Sequence, residues 1–344
     1  MEKIRLGRTD FFVSAIGFGG IPITRLPLDE GAKLIRYCFD KGITFFDTAP
    51  LYGDSEVKVG TGLEGVRDQV IVATKTFKRS KSEAAKDMEN SLSRLKTDYI
   101  DLYQLHNVAD METLEAVLRP DGAYEAAALA REAGEVKHIG LTSHNIDVAV
   151  KACKTGLFST VQIPFSMIEH DPAERLFPVA EEHDMGIIAM KPLGGGLLER
   201  ADLCFKFLQQ YGNVVPIPGV ESAAEVDENI EYYGSARSLT DEDWADVERL
   251  RGEVGTRFCH RCGYCQPCAQ GVEVSKVLLF KAQVKRFPAP MAIAMAKEVM
   301  KQAENCIQCG ECTEKCPYDL PVPDLISESL DHYRQFCREH GVSA

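Results

Sequence analysis

Thr44-Phe45-Phe46-Asp47 leads through Thr48-Ala49-Pro50-Leu51 to Tyr52: a short apolar strand ends in a carboxylate, with a phenol five residues further on. Val70-Ile71-Val72-Ala73-Thr74-Lys75 ends likewise in an ammonium, and Tyr99-Ile100-Asp101-Leu102-Tyr103-Gln104-Leu105-His106 in an imidazole. The spacings of 28 and 31 residues between these ends each match about one strand-helix unit. Five further β-rich runs, at 15–18, 138–142, 160–163, 187–190 and 214–217, bring the number to eight. Between them lie amphipathic or Ala/Glu/Lys-rich stretches at 29–41, 82–95, 123–133, 146–154, 172–183 and 223–232, which read as helices. Such alternation builds a parallel sheet covered by helices. Eight units in so short a span predict an α/β fold of the closed (β/α)8 TIM-barrel type, with an open doubly wound sheet as the alternative. Gly17-Phe18-Gly19-Gly20 lacks the later glycine of a dinucleotide fingerprint and reads equally as a tight turn, and there is no Walker loop.

The chain has 344 residues, 45% hydrophobic and 26% charged, which excludes disorder and collagen. Its net charge of −13 disfavours nucleic acid or an anionic membrane surface as partner. Charges at residues 2, 3, 5 and 8 fall where a signal peptide needs an apolar run, and no long apolar segment follows, so the expectation is a cytoplasmic protein. In a reducing compartment dense cysteines hold metal rather than form disulfides. Eight of the 12 cysteines lie between Cys259 and Cys316, while Cys38, Cys153, Cys204 and Cys337 are scattered as buried structural thiols. The expected domains are a barrel over 1–252, closed by a helix at 239–251 capped near Ser238 or Thr240, and a metal-binding appendage over 253–344 ending in a helix at 324–340.

In a barrel the strand ends at the C-terminal face converge, so Asp47, Lys75 and His106 should meet there beneath Tyr52. Delivering hydride to a carbonyl puts negative charge on oxygen, and a positioned donor must protonate it. Tyr52 suits that task if Lys75, itself held by Asp47, stabilises the phenolate, and His106 can orient the substrate oxygen. Singly each residue has a bland reading, as a surface ion pair or a satisfied structural histidine; four in register at one face point to catalysis.

Gly42-Ile43-Thr44-Phe45-Phe46-Asp47-Thr48-Ala49-Pro50-Leu51-Tyr52-Gly53-Asp54-Ser55-Glu56 closely resembles the signature of the aldo-keto reductase family. The resemblance continues through the run ending in His106, Lys137-His138-Ile139-Gly140-Leu141-Thr142-Ser143, Met190-Lys191-Pro192-Leu193-Gly194-Gly195-Gly196 and Pro216-Ile217-Pro218-Gly219. It implies reduction of an aldehyde or ketone with NAD(P)H, with Asp47, Tyr52, Lys75 and His106 as the catalytic tetrad. It further implies that nicotinamide meets Thr142, Ser143 and Gln162, the pyrophosphate meets the loop with Lys191, Leu193 and Gly195, and adenine lies near Glu228 and Asn229. Gly20 and Gly219 join the cofactor set. Two departures stand out: Met190 replaces the aromatic ring that stacks on nicotinamide, and Glu225, with Glu221 nearby, replaces the base that grips a 2′-phosphate. Carboxylates repel phosphate but accept from a ribose hydroxyl, so NADH is expected over NADPH, unless these glutamates simply face solvent. Asn107 follows His106 where many relatives carry Trp, and 107–122 reads as a long substrate-selecting loop.

Cys306-x2-Cys309-x2-Cys312-x3-Cys316-Pro317 matches the bacterial ferredoxin run, whose last cysteine ligates a second cluster. Cys259-x2-Cys262-x2-Cys265-x2-Cys268 has nearly the same form. The expectation is a small ferredoxin-like domain with two [4Fe-4S] clusters, one on Cys306, Cys309, Cys312 and Cys268, the other on Cys259, Cys262, Cys265 and Cys316. Zinc and a single cluster are the alternatives, and the clusters could merely staple a coreless domain. Lys276, Lys281, Lys285 and Arg286 offer a docking patch for a redox protein, ferredoxin or flavoprotein, or else a solvated helix face. No flavin signature is present to link one-electron clusters to a two-electron hydride. The leading expectation is an oxidoreductase acting on a small-molecule carbonyl substrate; the competing ones are a non-catalytic NAD(P)H-binding redox sensor and an electron-transfer subunit.

Overall fold

The computed structural model describes residues 1–235, 238–255, 257–261, 265–285, 287–316 and 318–342. An antiparallel hairpin comes first, β1 (Lys3–Arg5) with β2 (Phe12–Ser14). Eight strands follow, each overlapping one of the expected runs: β3 (Phe18–Gly19), β4 (Phe45–Asp47), β5 (Ile71–Thr76), β6 (Ile100–Leu105), β7 (Val136–Thr142), β8 (Thr160–Pro164), β9 (Gly186–Met190) and β10 (Val214–Ile217). Each pairs in parallel with the next in chain order. Gly17 N donates to Pro216 O and Gly19 N to Pro218 O, both at 2.9 Å, which brings β3 back beside β10 and all but closes a (β/α)8 barrel. Central strands such as β6 and β8 are buried at every position, as strands packed on both faces must be.

Helix Leu28–Asp40 follows the 3.6-residue period, turning Leu34, Ile35 and Cys38 onto Phe46, Val59 and Val72. The stretch expected as one helix at 172–183 is two, Pro172–Arg175 and Phe177–Glu182. Pro178 lacks a donor and crowds the carbonyl four residues back, which breaks the run. Helices Ser55–Gly62, Met111–Leu118 and Ala201–Leu208 were not expected. The second corrects the reading of 107–122 as a loop: the Asp110 side chain accepts from Thr113 N at 2.7 Å and starts a helix there. The hairpin was also missed. It lies at the N-terminal ends of β4 and β9, where Ser14 N donates to Thr44 Oγ1 at 2.8 Å and Gly7 bridges Met185. Gly7 has φ +52°, and a Cβ there would lie 2.1 Å from Gly186 N.

The chain forms two compact units, Met1–Gly194 with Leu198–Leu239, and Gly195–Leu197 with Thr240–Ala344. In the second, Thr240 and Asp243 cap helix Asp241–Gly255 reciprocally, Thr240 N donating to Asp243 Oδ2 and Asp243 N to Thr240 Oγ1. Helices Ala289–Ala303 and Val322–Glu339 share an apolar core with Val277, Phe280, Ile293, Met300, Leu325 and Tyr333. The domain is therefore not coreless. Among the described residues no helix is long and apolar enough to cross a membrane.

Candidate functional site

Asp47 ends β4, Lys75 is the penultimate residue of β5, and His106 directly follows β6. Neighbouring parallel strands in register bring the three to one end of the barrel. Lys75 Nζ donates to Asp47 Oδ1 at 2.6 Å and to Thr48 O at 2.7 Å, and the pair is buried. Gln104 Nε2 donates to Asp47 Oδ2 at 3.1 Å. Gln104 lies two residues before His106, and the two-residue period of a strand puts both on one face. That period was the signal by which sequence reading could have found Gln104.

Tyr52 joins this group from the loop after β4. Lys75 Nζ lies 5.1 Å from the centre of its ring, and the His106 ring meets it edge-on at 5.9 Å. The loop is anchored on both sides. Ser55 Oγ donates to Gly20 O and lies 2.8 Å from Thr48 Oγ1, while buried Lys58 donates to Asp54 Oδ1 at 2.6 Å and Ile23 O at 2.9 Å. Gly53, at φ +54°, supplies the left-handed step that turns the chain from Tyr52 into helix Ser55–Gly62.

Burial alone would lower the Lys75 pKa, but the Asp47 carboxylate and Tyr52 more than reverse this and hold it above the ordinary ammonium value. Burial raises the Asp47 carboxyl, opposed by Lys75, Gln104 and Gln162. His106 is driven well below its usual value by burial and by the positive charges of Lys75 and Arg79, so the imidazole is neutral at physiological pH. Its Nδ1 is buried with no hydrogen-bond partner among the described residues. The site therefore holds a buried ammonium beneath a phenol, beside a neutral imidazole.

The cofactor candidates from β7 to β10 are placed less uniformly. Thr142 Oγ1 accepts from Asn107 N at 2.7 Å, and Ser143 Oγ donates to Val108 O at 2.7 Å, so both hydroxyls brace the turn after His106. Gln162, on β8, is buried with Oε1 unpartnered among the described residues. An amide N–H of nicotinamide would satisfy that atom, and the residues fit the group in this respect. Met190 ends β9 and is half-buried. Lys191 Nζ lies 2.7 Å from His144 Nε2, whose Nδ1 lies 3.0 Å from Asn107 Oδ1. Leu193 follows in the same unit, whereas Gly195 belongs to the second. Gly20 packs too closely on Asp47 O for a side chain, and Gly219 on Pro22. One Glu225 oxygen is engaged locally: Oε2 accepts from Glu221 N at 2.7 Å, and the Glu225 N–H bonds to Ser222 Oγ, which caps helix Ala223–Ser235. Glu221 pairs with Arg25 at 3.1 Å, a base that sequence reading did not place there. Glu228 raises the Tyr232 pKa by charge, and buried Asn229 lines a small cavity with Gly17, Phe18 and Pro218.

The aldo/keto reductase family model matches residues 15–203. The chain belongs to the aldo/keto reductase family. The family barrel here is accompanied by a 4Fe-4S dicluster domain, matched over residues 258–321. A relative from Glycine max, probable aldo-keto reductase 1, is 35% identical over 215 residues, spanning 57% of this chain and 60% of its own. The uncharacterized oxidoreductase YqkF of Bacillus subtilis (strain 168) is 30% identical over 217 residues, spanning 59% and 68%. The chain thus spans about 60% of the first relative's length. The solved aldo-keto reductase AKR11C1 from Bacillus halodurans, in its holo form, superposes with a TM-score of 0.63 at 26% identity, covering 73% of this chain and 96% of that one.

In the dicluster domain the described cysteines line two cavities. Cys265, Cys268, Cys306, Cys309 and Cys312 surround one, and Cys259, Cys265 and Cys316 the other, where His260 stacks on Tyr318 at 3.7 Å. Cys262 lies outside the described residues, as do Arg286 and Pro317. Thiolates spread around a cavity suit a cluster, whose irons each take a separate cysteine. Two of the four basic residues are paired, Lys276 with Glu273 and Lys281 with Glu328 at 3.3 Å. Cys38, Cys153, Cys204 and Cys337 are fully buried, and burial pushes the first three thiols up to about 12, as inert structural cysteines require.

Proposed function

We propose that this protein reduces an aldehyde or ketone to an alcohol, with Tyr52 as proton donor. The observation that carries the reading is the buried Lys75–Asp47 pair beneath the Tyr52 ring. Bound NAD(P)H supplies the hydride. Neutral His106 orients the carbonyl oxygen, Tyr52 gives it a proton, and the buried Lys75 ammonium stabilises the phenolate left behind. Asp47 and Gln104 keep Lys75 charged and in place. Thr142, Ser143 and Gln162 would hold the nicotinamide carboxamide with Met190 against its ring. Lys191, Leu193 and Gly195 would meet the pyrophosphate, and Glu228 and Asn229 the adenine, with Glu225 at the ribose and Gly20 and Gly219 completing the set. With one Glu225 oxygen engaged by Glu221 N and Glu221 partly neutralised by Arg25, a preference for NADH rests on the remaining charge of these two glutamates. In the second unit, Cys268, Cys306, Cys309 and Cys312 would hold one [4Fe-4S] cluster and Cys259, Cys262, Cys265 and Cys316 the other. Such clusters pass single electrons, to a redox protein partner if they are not purely structural.

The test is Tyr52→Phe, assayed by carbonyl-dependent oxidation of NADH and of NADPH beside nucleotide affinity. The reading expects turnover to fall about 100- to 10,000-fold with affinity retained. Unchanged turnover overturns it, and a chain that never turns over carbonyls but binds a partner in a nucleotide-dependent way is a sensor.

A further inference from the structure

We propose that Arg79 recognises a carboxylate on the carbonyl substrate, so that the site takes oxo acids or carboxylated aldehydes. This rests on the barrel mouth being the site of carbonyl reduction. Arg79 lies in the loop after β5, on the opposite side of His106 from β7 to β10, which carry the nucleotide candidates. Its Nη2 donates to the carbonyl oxygens of His106 at 2.9 Å and Asn107 at 3.0 Å, so its position is set by the residue expected to orient the substrate oxygen. The guanidinium covers Phe77, 4.8 Å from the ring centre, and the Phe77 ring meets His106 edge-on at 5.8 Å.

Nη1 of the same group is buried and has no hydrogen-bond partner among the described residues. A guanidinium nitrogen left so is costly, because it has lost water and gained nothing. The other charges of the mouth do not offset it. Lys75 and Asp47 neutralise each other, and Lys191 faces His144. Asp110 acts on Arg79 only through space while its own Oδ1 serves as a helix cap. Burial pulls the Arg79 pKa down despite Asp110, which marks its charge as under-compensated. A carboxylate oxygen accepting from Nη1 would form the charge-assisted hydrogen bond that best offsets this. Leu51 and Phe77, apolar and exposed beside Tyr52 and His106, suit the body of an organic acid rather than an inorganic anion.

The experiment uses the full-length protein and two matched pairs, phenylglyoxylate with its methyl ester and 4-formylbenzoate with its methyl ester. Wild type should favour an acid over its ester in kcat/KM. Arg79→Met should lose about 10- to 100-fold more with the acid than with the ester, and Arg79→Lys should recover part of the difference. Parallel losses for acid and ester, or no preference for either acid in wild type, overturn the proposal. Binding of benzoate and benzamide, measured by calorimetry without turnover, separates the two levels. If no probe is reduced but benzoate binding weakens at least about tenfold in Arg79→Met while benzamide binding does not, reduction falls and the carboxylate site stands. If benzoate fails to bind, or binds both proteins alike, the carboxylate site falls.

Discussion

At the scale of single residues, the Lys75–Asp47 pair sets the strongest expectations. Lys75→Met removes one member of a buried ion pair, leaving Asp47 uncompensated, so stability should fall by about 3–5 kcal/mol, read from denaturant midpoints, along with turnover. Asp47→Asn keeps the shape and should spare more of the fold while still lowering turnover. His106 carries a pH signature. An unfolded chain binds a proton at this residue near pH 6.5, whereas the folded one resists until well below that. Stability present above pH 6.5 is therefore lost as pH falls toward the folded value. Urea midpoints at pH 7.5 and 5.5 should differ more in wild type than in His106→Gln; equal differences would mean that the folded imidazole takes its proton normally. Asp47, Lys75 and His106 were legible because polar groups at strand ends stand out against apolar runs, and Tyr52 because it lies five residues beyond Asp47 in the run 42–56 that carries the family resemblance. Gln104 could have been read from the strand period that puts it on the face of His106, whereas Arg79 could not, because it sits in a polar loop where such residues are ordinary.

At the scale of elements, close packing leaves sharper marks than composition does. A Cβ on Gly60 would lie 2.6 Å from Leu95 C and 2.7 Å from Arg94 O, backbone atoms at the end of helix Lys81–Leu95. Neither is the mobile end of a side chain, so Gly60→Ala should cost at least about 1–3 kcal/mol, seen as a lower melting temperature by far-UV circular dichroism. The same change at Gly65, with φ +79° but no atom within 4 Å, strains only the local backbone and should cost less. Strands and long amphipathic helices could be read because their periods of two and 3.6 residues are local properties. The short hairpin could not, because a three-residue strand has no period, whereas the break at Pro178 and the Asp110 cap of helix Met111–Leu118 are local signals that the longer periodic pattern masked.

For the whole molecule, the two cysteine cavities predict how iron should partition. Two [4Fe-4S] clusters amount to about eight irons per chain. Cys309→Ala should lower this toward about four, and Cys316→Ala should do the same while removing the other cluster, so the two variants should differ in the electron paramagnetic resonance of the dithionite-reduced protein. Cys38→Ala, in the barrel core, should leave iron unchanged; identical spectra from the two ligand variants would refute the crossed pairing. The sequence by itself determined the strand-helix alternation, the strand ends that carry Asp47, Lys75 and His106 and the cysteine runs, since each is written in local period or spacing. Only the tertiary structure decided that Gln104 supports Asp47, that one Glu225 oxygen is taken by Glu221 N, that Arg25 meets Glu221 and that Nη1 of Arg79 has no partner among the described residues. These depend on which atoms meet across strands and loops far apart in the chain, and no spacing along a sequence encodes whether a buried polar atom finds a partner.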